Sequence, residues 1–114
     1  MEKEKLLYEL EYQVQELRKA RLSAIKYNNM TIKDFLDLGF DNSFILIKDQ
    51  WFNLGFKWHD KDYNNYGYES DDFGELTNEQ LNCVIEYVDD EISDYDYQQV
   101  SVRLINKMDE KYFD

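Results

Sequence analysis

The residues of this 114-residue chain best able to do chemistry are few, and their spacing argues against most of it. His59 is the one histidine and Cys83 the one cysteine. A Cys-His or Ser-His-Asp site would need His59 as its base, and no nucleophile elbow or comparable local motif accompanies it. No glycine-rich phosphate loop is present. Carboxylates are plentiful, with 25 Asp and Glu. In so acidic a chain, pairs of acids point to acid–base catalysis only where a pocket tunes them. The expectation is a protein that is not an enzyme and needs no cofactor. A single cysteine forms no internal disulfide, and Cys83 stands among apolar neighbours that suit a buried thiol.

One run has metal-ligand spacing. Asp60, Asp62 and Asn64 stand at the first three ligand positions of a calcium loop and Asp71 at the twelfth. The run resembles an EF-hand in part only: Asn65 replaces the glycine, Gly67 fills the usual apolar slot, the twelfth position is Asp, and a strand-like WFNLGFKW precedes it. A solvated turn is the simpler reading, with calcium binding a minor alternative.

The dominant feature is Asp62 to Val102, 41 residues with twelve acids and no Lys or Arg. The remaining thirteen acids are matched by all thirteen basic residues, so the net charge of −12 is that of this segment. Six of the ten tyrosines also lie in it. Such a field repels nucleic acid and anionic membrane and attracts basic protein surfaces. A partner that offsets it is the expectation, because concentrated like charge costs stability and solubility does not need it. Tyrosine supplies rigid contact area, and arginine both stacks on aromatic rings and pairs with carboxylates. The candidate partner-binding residues are Tyr63, Tyr66, Tyr68, Asp71, Asp72, Glu75, Glu79, Glu86, Asp89, Asp90, Asp94 and Asp96.

In size, charge segregation and Tyr-rich acidic segments, the chain resembles the small acidic inhibitors of phages and mobile elements. These include the DNA mimics among anti-CRISPR and anti-restriction proteins. The resemblance implies blockage of the DNA-binding cleft of a bacterial defence nuclease. It carries no motif over residue by residue. Other readings are an antitoxin or immunity protein, or a phage assembly component, docking through the N-terminal helix.

The elements that must position these residues read as α+β, a single domain over 1–114. Glu2 to about Asn28 has no Gly or Pro, and Leu7, Leu10, Val14, Leu17 and Ala24 recur at alternating spacings of three and four, with Arg21 in the same series. This predicts a long helix over 1–29, with a seam that allows a homodimer. Region 30–58 reads as a short helix, capped by Thr31 and stopped by Gly39, then an aromatic antiparallel hairpin of Phe44–Lys48 and Trp51–Trp58 across Asp49-Gln50. Region 59–76 reads as an acidic Tyr-rich loop or irregular edge strand. In 77–114, Thr77 and Gln80 form a capping box opening a helix from Asn78 to about Ile92. Its core side is Leu81, Val84, Ile85, Val88 and Ile92, and Glu79, Glu86 and Asp90 form an acidic stripe opposite. After it, Tyr97, Val100, Leu104 and Met108 fit a helix while Val100, Val102 and Leu104 alternate like a strand; helix is preferred. No apolar run approaches membrane-spanning length and Met1–Lys5 is charged, so the expected location is the cytoplasm.

Overall fold

The computed structural model describes residues 2–40, 42–92 and 98–114. It is α+β, in the order α1 (Glu2–Asn28), α2 (Ile32–Asp37), β1 (Asn42–Ile47), β2 (Gln50–Asn53), β3 (Phe56–Asp60), β4 (Asn65–Ser70), β5 (Gly74–Glu75), α3 (Asn78–Leu81), β6 (Ile85–Ile92) and β7 (Gln98–Leu104). A 3₁₀ helix (Lys107–Phe113) closes the chain.

Two sheets carry the fold. The larger has strand order β2-β1-β7-β6, with β1 and β7 parallel at its centre and antiparallel partners outside them. The expected hairpin is there, but its turn is Lys48-Asp49, both at positive φ (52° and 62°), the geometry of a two-residue turn that matches strand twist. Its second arm is not continuous. Gly55, at φ 124°, breaks the aromatic run into β2 and β3, and β3 leaves for the smaller sheet β3-β4-β5. A side chain at 55 would collide with the Glu69 carbonyl, so only glycine fits this corner.

Strand alternation then separates two faces of the larger sheet. Ser43, Ile45 and Ile47 on β1, Val100, Val102 and Leu104 on β7, and Ile85 on β6 point inward. They pack with Ile25 of α1 and Ile32, Phe35 and Leu36 of α2 in one buried cluster. Thr31 accepts from the Asp34 N–H at 3.2 Å and caps α2, while backbone bonds Ile32 N–H to Cys83 O and Ile85 N–H to Met30 O tie its start to β6. Phe113 is buried edge-on to Phe73. The Gln80 side-chain amide donates to Tyr112 O at 2.9 Å, which fixes the end of the chain.

Two expectations for 77–114 are corrected. The capping box of Thr77 and Gln80 forms, but α3 ends after one turn at Leu81, and residues 85–92 are strand β6. The 98–104 stretch is strand β7, and the only helical structure after it among the described residues is the 3₁₀ turn. The expected loop over 59–76 is likewise mostly strand: β3, β4 and β5 with tight turns.

α1 is as long as expected, roughly 40 Å at 1.5 Å per residue. Only its last third touches the rest of the molecule. Ile25 is buried, Arg18 and Leu22 are partly covered, and everything from Lys3 to Leu17 is exposed. The molecule is correspondingly elongated, 55 × 35 × 25 Å.

Candidate functional site

The twelve candidate residues divide by what the folded chain does with them. Asp94 and Asp96 lie outside the described residues. Tyr68 is no surface residue: it is buried on β4, and its hydroxyl donates to Asp37 at 2.6 Å. Burial first, and the Asp37 carboxylate second, hold its proton well above the usual tyrosine range. Tyr66 stays exposed, edge-on to Tyr68, with the Lys57 ammonium 4.8 Å from its ring centre. Tyr63 is exposed in the β3–β4 turn.

The acidic stripe does not exist, because the helix that would display it is a strand. β6 pairs with β7 in register Glu86↔Arg103, Tyr87↔Val102, Asp89↔Ser101 and Asp90↔Val100, with a bulge at Val88. The extra residue shifts the alternation, so Glu86, Asp89 and Glu91 point to the open face and Asp90 to the covered one. There Asp90 pairs with Arg18 of α1 and accepts the Tyr87 hydroxyl. Burial first, then that bond to Asp90, pushes the Tyr87 hydroxyl up to about 12. Glu86 pairs with Arg103 across the strands. The segregation of acids from bases along the sequence is thus partly undone in space.

Asp72 is also occupied, accepting the Asn53 N–H at 2.6 Å, while the Asp71 N–H donates to Asn53 Oδ1 at 3.0 Å. These bonds pin the β4–β5 turn against β2. Asp71, Glu75, Glu79, Asp89 and Glu91 form no ion pair among the described residues. All five are exposed.

The calcium spacing does not fold into a site. Asp60 accepts from the Asp62 N–H at 3.0 Å as an ordinary turn, and Asn64 sits at φ 52° beside it. Asp71 lies past the far end of β4, roughly 20 Å away at 3.3 Å per residue. Among the described residues no three His, Cys, Asp or Glu side chains converge.

What the open face of the larger sheet holds in place of a stripe is a shallow groove of about 410 Å³. Phe44, Trp51 and Val88 line its apolar part, Asp89 and Glu91 its rim, and Gln99 and Ser101 its floor. Trp51 is 48% exposed and pairs across the hairpin with Leu46. An aromatic centre with a charged rim is the anatomy of a protein-binding patch. Of its residues the sequence pointed to Asp89 alone, since Val88 reads as the core side of a helix and Phe44 and Trp51 only as members of a hairpin. Strand alternation in FILIK was the available signal, because alternate residues of a one-sided strand must face out.

Two other surfaces complete the picture. The helix stripe Leu7, Leu10, Val14 and Leu17 is uncovered. No helix among the described residues is long and apolar enough to cross a membrane. Comparison with protein-family models, curated proteins and solved structures finds no match to this chain.

Proposed function

We propose that this protein acts by binding and not by catalysis, as an acidic inhibitor that occupies the basic nucleic-acid-binding surface of another protein. A defence nuclease of the bacterial cytoplasm is the intended partner, blocked in anti-CRISPR or anti-restriction fashion, with no direct contact to nucleic acid or membrane. The supporting observation is the set of exposed carboxylates without ion pairs among the described residues, Asp71, Glu75, Glu79, Asp89 and Glu91, two of them rimming the Trp51 groove. Arginines of a DNA-binding cleft would pair with these acids and stack on Trp51 or Tyr66. Aromatic anchoring makes the contact more than a diffuse electrostatic one.

The test is capture of partners from bacteria with CRISPR and restriction systems, eluted by salt and by duplex DNA, followed by a cleavage assay on each nuclease recovered. Reversal of Asp71, Asp89 and Glu91 to Lys should abolish capture and inhibition at physiological salt. Retention of both with three reversed charges would sink the reading. A second reading is an interaction protein, such as an antitoxin, immunity protein or phage assembly component, that docks through α1. The exposed apolar stripe of that helix favours it.

A further inference from the structure

One apolar stripe on α1 is covered along part of its length and bare along the rest. Leu7 and Ile25 are eighteen residues apart, five full turns at about 100° per residue, so they share an azimuth. Ile25 is 0% exposed against the sheet, whereas Leu7, Leu10, Val14 and Leu17 are between 57% and 61% exposed. Arg21, in the same series, is turned into its own domain, donating to Leu38 O at 3.0 Å and lying over Phe40. The bare stretch is therefore Leu7–Leu17, and the domain begins where it stops. Four large apolar side chains in a row on water-exposed helix are more than scattered surface residues.

We propose that a second copy of this chain covers the stripe, the two α1 helices pairing antiparallel about a dyad near Tyr12. The proposal gives the helix-docking reading a definite occupant and does not depend on the carboxylate surface. Three features select it. The repeat of three and four is that of a two-helix seam, and the antiparallel register sets Leu7 against Leu17 of the partner subunit and Leu10 against the partner's Val14. The helix is electrically two-ended: residues 2–16 hold five Glu and two Lys, and residues 17–28 hold Arg18, Lys19, Arg21 and Lys26 with no acid. In this register the basic turns 17–22 face the partner's residues 2–7, which hold two Glu and two Lys, and only residues 8–16, with three Glu, face their own kind; parallel pairing would lay the basic turns on each other as well. Sterics decide the same way. Each domain lies on the stripe side of its own helix, and paired helices sit about 8–10 Å apart, so a parallel pair would force both domains into one gap. The antiparallel pair sends them to opposite ends. It also separates two bodies that carry −13 each, since α1 itself sums to +1.

The experiment is light scattering on the intact chain at roughly 50 µM, with orientation read by cysteine cross-linking in a Cys83→Ala background. The expected mass is twice the 13.9 kDa of one chain. Leu10→Glu with Val14→Glu should return it to a single chain with the circular dichroism and thermal midpoint retained, because both residues are exposed. Gln13→Cys, flanking the dyad, should form a disulfide-linked dimer under mild oxidation, and Leu17→Cys should not. Glu11→Gln should tighten the dimer about twofold by removing a like-charge pair at the dyad. A single-chain mass for the unsubstituted protein, or cross-linking through Leu17→Cys and not Gln13→Cys, overturns the proposal.

Discussion

At the scale of single residues, protons and ion pairs make the sharpest expectations. Tyr87 and Cys83 are held protonated in the fold, at about 12 and about 11 against ordinary values of 10.0 and 9.0, each chiefly by burial. A raised value means the folded chain holds the proton more tightly than the unfolded one. The stability this gives is present below the ordinary value and lost as pH climbs through the folded one. The urea midpoint should therefore be flat from pH 7 to about 9 and fall between about 9 and 12, and Cys83→Ala should delay the onset to about 10. Asp90 is where surface and scaffold part company. Its pairing with Arg18 and Tyr87 locks α1 to β6, both partners being partly buried. Asp90→Ala should cost about 2 kcal/mol in urea denaturation, since it strands a partly buried guanidinium. Asp89→Lys, one residue away on the open face, should leave stability nearly unchanged. Nothing in the composition of Tyr87-Val88-Asp89-Asp90 tells these two aspartates apart; the bulge does.

At the scale of elements, turn geometry is the most accessible lever. Asp49 sits at φ 62° in the β1–β2 turn, where a glycine pays no steric cost. Asp49→Gly should raise stability by about 0.5–1 kcal/mol in the same assay. Gly55→Ala should lower it by about 3 kcal/mol, from the positive φ and the clash with the Glu69 carbonyl. The first helix, the capped second helix and the hairpin were legible because each is announced by local chemistry: unbroken periodicity, the Thr31 cap, an aromatic run. The β6 strand was not. Leu81 ends α3, Ile85 opens β6 and Val84 and Val88 are exposed, yet with Ile92 they fall at helical spacing, and a genuine capping box at Thr77 stands just ahead of them. β7 did carry its alternation, Val100-Val102-Leu104, but a central strand is chosen by its neighbours, and β1 is far away in sequence.

At the scale of the whole molecule, charge and shape act together. A net −12 repels itself, so raising NaCl from about 0.02 to 0.5 M should raise the thermal midpoint, whereas it should weaken the proposed capture of a basic partner. The opposite signs separate fold from binding. Half of the candidate surface was legible as acidity, and the exposed carboxylates follow from it. The rest was hidden because Arg18 and Arg103 reach back into the acidic segment, and because Trp51 and Phe44 become surface only when a sheet face is left open. The strand order has a last consequence, for how the chain is made. β1 meets β2 at once, but its parallel neighbour β7 begins more than fifty residues later, and the inner face cannot close without it. During synthesis, Ile45 and Ile47 must wait as an open apolar edge until the chain through Leu104 has left the ribosome. Nascent chains stopped before β7 should thus be prey to proteases and chaperones.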